Sequence, residues 1–92
     1  MNLQEIRANI NKIDEEIIAL LAKRQRFAVL VGKFKKKNGV AINQPKREKE
    51  LFSRLEQTAE KKRVSVGLVK KTFKLIISDS KVIQKKILEQ KK

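Results

Sequence analysis

The sequence contains no cysteine, histidine, tryptophan or tyrosine, and only one proline, three glycines and four phenylalanines among 92 residues. Without cysteine there is no disulfide, thiolate metal site or cysteine nucleophile. Without histidine the usual proton shuttle and the commonest metal ligand are missing. Most hydrolytic and metal-dependent chemistries are thereby excluded, and no metal site is expected. Scarce proline and glycine, few aromatics and 40% apolar residues favour helices over sheets, so the chain reads as all-α. Long apolar runs are lacking too. Uncharged apolar runs such as 17–22 and 27–32 fall far below the ~18 residues that span a bilayer, so no transmembrane helix and no membrane partner are expected. The opening Met1-Asn2-Leu3-Gln4-Glu5 has neither the basic nor the apolar part of a secretory signal, and a cytoplasmic location is expected.

What is present is positive charge: 24 Lys plus Arg against 10 Asp plus Glu leave a net +14, which calls for an anionic partner, either a nucleic acid or a small polyanion. The length predicts a single domain over residues 1–92, one that buries only about 60 to 65% of the surface its unfolded chain exposes.

Asn2 with Glu5 three residues on forms a capping-box pattern that opens a first helix. Apolar side chains then recur at Leu3, Ile6, Ile10, Ile13, Ile17, Leu20, Phe27, Val31 and Phe34, with Arg24 in the one gap. Gly39 after Asn38 is a stop signal, so the helix is predicted over roughly 3–37, about 50 Å long. Two short helices from the same chain cannot cover a stripe of that length, and an intertwined homodimer is expected. After a loop at 39–44, Pro45 suits the first position of a second helix, about 45–62, whose inner face reads Glu48, Phe52, Leu55 and Ala59. Ser65 can cap a third, with the stripe Val66, Val69, Phe73, Ile76, Ser80, Ile83 and Ile87.

Polar residues interrupt each stripe. Arg24 is either half of a salt bridge, or a cation snorkelling to a helix edge, or an inward charge awaiting an anion. Lys35 lies eleven residues on, nearly on the same face, and Arg7 lies further toward the N-terminus. Glu48 is suited to a helix start by the dipole and stands beside Arg47. Ser80 and Gln84, four residues apart, are neighbours on the third helix. Taken one at a time, these are ordinary solvated or self-bonded side chains. In combination they describe a polar pocket inside a helical bundle, complementary to a compact polyanion.

The segments Ile6-Arg7 through Ile13-Asp14, Leu20-Leu21-Ala22-Lys23-Arg24, Val31-Gly32-Lys33-Phe34-Lys35, Arg47-Glu48 and Phe73-Lys74-Leu75-Ile76-Ile77-Ser78-Asp79-Ser80 with Gln84 resemble, in order and spacing, the all-α class of chorismate mutase over nearly the whole chain. The resemblance implies a dimer of three-helix chains with two shared active sites. These would convert chorismate to prephenate by an intramolecular Claisen rearrangement, without a cofactor, in the shikimate pathway of aromatic amino acid biosynthesis. Carried over, Arg24 and Arg47 would bind the substrate carboxylates, with Arg7 contributed by the partner chain. Lys35 and Gln84 would hydrogen-bond the ether oxygen, Glu48 would accept from the ring hydroxyl, and Ser80 would contact a carboxylate. A pericyclic step needs no nucleophile, metal or proton shuttle, which fits the missing histidine and cysteine. One residue departs from the family pattern: Gln44 stands where an Asp is usual.

Two other functions compete. Isochorismate pyruvate lyase shares the fold, but tends to have an apolar residue where Glu48 follows Arg47. A basic helical nucleic-acid binder would use Lys35-Lys36-Lys37, Lys61-Lys62-Arg63 and the Lys85, Lys86, Lys91 and Lys92 tail. Backbone binding, however, puts charge on outward faces and accounts for neither Arg24 nor Ser80 and Gln84 on apolar seams, so no nucleic-acid partner is expected. The chain could also serve as a module of a larger enzyme of the same pathway.

Overall fold

The computed structural model describes residues 1–90, so Lys91 and Lys92 lie outside the described residues. Three helices follow one another: α1 (Leu3–Asn38), α2 (Pro45–Lys62) and α3 (Val66–Glu89), with no strand among the described residues. Their ends obey the local signals. The Asn2 side chain accepts a hydrogen bond from the Glu5 amide at 2.9 Å. Gly39 closes α1 in the left-handed conformation at φ 64°, where a Cβ would be strained. Pro45 occupies the first turn of α2, and the Ser65 hydroxyl accepts from the Leu68 amide at 3.3 Å. The α2 terminus carries no such signal: Arg63, a non-glycine, takes the left-handed position at φ 58°, and the Val64 amide donates to the Ala59 carbonyl at 2.9 Å.

α3 is the central element, packed on α1 along one side and on α2 along another. It runs in the same direction as α1: Gln25 bonds to Asp79, Gly32 faces Gln84 and Ile87, and Lys36 bonds to the Gln90 carbonyl. α2 runs the opposite way, pairing Glu48 with Lys81 and Glu56 with Lys70. The α3 residues that become buried are Ile77 and Gln84, while Ile76, Ser80, Ile83 and Ile87 are half-buried. The inward face is therefore rotated by about one residue from the stripe the pattern predicts, because α3 must serve α1 and α2 at once.

The core of one chain is very small. Ala28, Ala59 and Ile77 are its only buried apolar side chains among the described residues, and no large side chain is fully buried. Every residue from 1 to 23 is exposed. The α1 stripe of Leu3, Ile6, Ile10, Ile13, Ile17, Leu20, Phe27, Val31 and Phe34 remains between 41% and 65% exposed throughout. α1 sets the longest dimension of a 55 × 28 × 15 Å molecule. The radius of gyration is 16.6 Å, against about 12 Å for a compact chain of this length. The accessible surface is 7877 Å², against about 5,500 Å² for a compact monomer of this mass. No helix among the described residues is long and apolar enough to cross a membrane.

Candidate active site

Where the C-terminal half of α1, the start of α2 and the second half of α3 meet, they enclose a cleft of about 460 Å³, within the usual range of ~300–1,000 Å³ for small-molecule sites. Its apolar lining is made by Phe27, Ala28, Val31, Leu51 and Ile77. Its polar groups are Arg24, Lys35, Gln44, Arg47, Glu48, Ser80, Lys81 and Gln84. Four cations thus face one carboxylate, a balance suited to an anion carrying more than one negative charge.

Gln84 is the most buried polar residue, 7% exposed. It is reached because Gly32 lets α1 approach α3 closely: a Cβ on Gly32 would lie 3.2 Å from the Gln84 Cα. Lys35 Nζ donates to Gln84 Oε1 at 2.8 Å and to the Ile42 carbonyl at 3.2 Å, and Gln84 Nε2 donates to Ser80 Oγ at 3.1 Å. An ammonium can only donate, so the Gln84 amide must turn its oxygen toward Lys35, which leaves its nitrogen to Ser80. The ammonium has three donors and uses two; the amide nitrogen has two and uses one. Each therefore has a hydrogen to spare for a ligand.

Burial holds the Lys35 ammonium below the ordinary lysine value of 10.5; Glu48 opposes the shift and Lys81 adds to it. Glu48 is paired with Lys81, Oε1 to Nζ, at 2.9 Å. Arg24 is half-buried, and the ion pairs among the described residues are those of Glu48 and Glu56. Of the three roles open to Arg24 in the sequence, the salt bridge is therefore removed. The cation stands in the cleft without a carboxylate partner.

Six sequence-predicted site residues, Arg24, Lys35, Arg47, Glu48, Ser80 and Gln84, come together in this cleft. Arg7 does not. It is exposed on the same helix as Lys35, 28 positions earlier, which is about 42 Å along the axis. Gln44 lines the cleft as the residue preceding α2, and its side chain makes no capping bond there, donating instead to the Ala41 carbonyl at 3.3 Å. Three contributors escape sequence reasoning: Lys81, the Ile42 carbonyl and Gly32. Lys81 had a signal, since 77, 80, 81 and 84 form an i, i+3, i+4, i+7 set on one helical face. The other two act through backbone position and had none.

Among known proteins, residues 6–85 match the family model for chorismate mutase type II. A chorismate mutase of Methanocaldococcus jannaschii is 35% identical over 88 residues, an alignment covering 96% of this chain and 89% of that protein. The bifunctional chorismate mutase/prephenate dehydratase of Escherichia coli (strain K12) is 34% identical over 88 residues, covering 96% of this chain and 23% of its own length. The T-protein of Haemophilus influenzae is 32% identical over 78 residues, covering 85% of this chain and 21% of its own. The chain is thus similar in extent to the first relative and spans less than a quarter of the other two.

Proposed function

The chain belongs to the chorismate mutase type II family, and from that membership we propose that it converts chorismate to prephenate as a homodimer with two shared sites. The substrate is a dianion with a ring hydroxyl and an enol ether. In the rearrangement the ether C–O bond breaks as a new C–C bond forms, with no proton or electron passed to the protein. Catalysis then consists of holding the flexible substrate in its reactive chair-like shape and placing fixed positive dipoles where charge grows on the ether oxygen. No group beyond the chain's own side chains is required.

The observation that carries this reading is that Lys35 and Gln84 are locked side by side by the 2.8 Å bond from Lys35 Nζ to Gln84 Oε1, each with a hydrogen to spare on its nitrogen. Such a pair suits the ether oxygen. Arg24 and Arg47 take the carboxylates, with Ser80 as a further contact, and Glu48 accepts from the ring hydroxyl. With the partner chain covering it, the apolar lining would keep water out, which strengthens each of these interactions.

The second chain follows from what a single one leaves open. Its surface exceeds that of a compact monomer by roughly 2,400 Å², so a pair would bury about 4,700 Å² in total, within the range of obligate dimers. Most of the exposed apolar side chains lie on α1. The α1 arm of one protomer therefore lies on its partner, and Arg7 of the partner subunit completes the cleft. On this reading the whole chain is one catalytic domain, works in the cytoplasm in aromatic amino acid biosynthesis, and uses its remaining surface lysines to steer a dianion rather than to bind nucleic acid.

Mixing the purified protein with chorismate and following both loss of the diene absorbance and product identity tests the reading. Prephenate is expected. Release of pyruvate would identify a lyase instead, and unchanged chorismate would refute the assignment.

A further inference from the structure

With one carboxylate and four cations lining the cleft, the choice of cation that Glu48 pairs with is consequential. Paired with Lys35, Glu48 would neutralise the donor meant for the ether oxygen. Paired with Arg24 or Arg47, it would occupy a place meant for a substrate carboxylate. Gln44, which lines the same cleft, is neutral and supplies no second carboxylate to share the demand. Glu48 in fact takes Lys81, Oε1 to Nζ at 2.9 Å, with both side chains about two-thirds buried. Lys35 is left to bond the Ile42 carbonyl and Gln84. Glu48 and Lys81 are also the two charges that act on Lys35, with opposite effects.

We propose that Lys81 is a positioning residue, which by holding Glu48 through Oε1 keeps that carboxylate off Lys35 and leaves Oε2 to accept from the substrate's ring hydroxyl. The inference rests on the chorismate reading above. Lys81 follows Ser80 and precedes Gln84 by three positions, so all three project from the same stretch of α3. The ion pair ties the hydroxyl acceptor on α2 to the helix that carries the ether-oxygen donor, and fixes the spacing between the two recognition points. An apolar residue at 81 would provide no such tie, and Glu48 would be released to turn to Lys35, the other lysine that lines the cleft.

Steady-state kinetics with chorismate on the full chain test this, using Lys81→Met, Lys81→Gln, Lys81→Arg, Glu48→Gln and the double variant Lys81→Met/Glu48→Gln. Loss of one charge-assisted hydrogen bond is worth roughly tenfold or more, so Lys81→Met and Lys81→Gln should each lower kcat by about that factor and also raise KM. Lys81→Arg should keep most of the activity. The decisive comparison is the double variant: removing the displaced carboxylate frees Lys35, so its kcat should exceed that of Lys81→Met. A double variant no faster than Lys81→Met overturns the proposal, as does wild-type kinetics in both Lys81→Met and Lys81→Gln. Far-ultraviolet circular dichroism melts, expected to be nearly unchanged, separate these effects from unfolding. A wild-type chain that leaves chorismate intact refutes the underlying activity instead, and is read before any variant.

Discussion

Replacing Gly32 with alanine sets two opposed effects against each other at the closest approach of α1 and α3. In a helix interior alanine is favoured over glycine by about 1 kcal/mol. Against this, the new Cβ would sit 3.2 Å from the Gln84 Cα and 3.2 and 3.3 Å from Ile87 Cβ and Cγ1, where carbon pairs prefer about 3.5–4.0 Å. A backbone atom cannot swing aside, so α3 must retreat by roughly 0.3–0.8 Å, and overpacking of this kind costs about 1–3 kcal/mol. The net change should lie between about 0 and 2 kcal/mol of destabilisation. The effect on activity should be larger in proportion. A retreat of that size takes the Lys35–Gln84 bond from 2.8 Å to the edge of hydrogen-bonding distance. Losing a preorganised donor outright is worth about 10²–10³ in rate, so partial loss should lower kcat by roughly tenfold, with KM little changed. Gly67→Ala is the control, because its Cβ would meet only Ser65 Oγ at an ordinary 3.7 Å. Kinetics with chorismate and thermal melts on both variants decide the matter. If Gly32→Ala is fully active and gains as much stability as Gly67→Ala, the close approach does not position Gln84.

Arg24→Ala should abolish most activity while leaving the melting temperature unchanged or raised, since a half-buried cation without a carboxylate partner opposes folding of the empty protein; a large fall in stability would mean a structural role. Arg7→Ala and Lys35→Ala chains should each be nearly inactive alone yet regain activity when unfolded together and refolded, because a mixed dimer holds one site with neither substitution; no recovery would refute the shared cleft. Lys35→Ala should lower kcat by about 10²–10³ while the exposed neighbours Lys36→Ala and Lys37→Ala change it little, and equal effects of all three would leave only bulk potential at work. Burial depresses the Lys35 ammonium, so in the folded protein its charged form is penalised at neutral pH and the penalty fades as pH rises through the folded value toward 10.5. Catalysis needs the charged form, so kcat/KM should fall along an alkaline limb below 10.5 that the residual activity of Lys35→Ala lacks.

The helices and their ends were legible in the chain because capping is local chemistry. Asn2 with Glu5, Gly39, Pro45 and Ser65 each act within a turn of their own position, and α1 ends at Asn38, one residue beyond the predicted boundary. The exposed stripe from Leu3 to Phe34 was equally legible, since helical periodicity shows which residues need a partner whether or not their own chain supplies it. Arg63 shows the limit of local signals: the turn after α2 forces a non-glycine into the left-handed region, and nothing nearby in the sequence announces it. The site divides in the same way. Period and residue type put Arg24, Lys35, Glu48, Ser80 and Gln84 on inward faces. A face, however, is not a register, and the pairing of 35 with 84 and of 48 with 81 depends on how far one helix slides along another. That slide is set at Gly32, where the absence of a side chain lets two backbones close. It is also set by α3 turning Ile77 and Gln84 inward to serve two neighbours at once. Packing of this kind is a property of all three helices together, so it appears only once they are assembled.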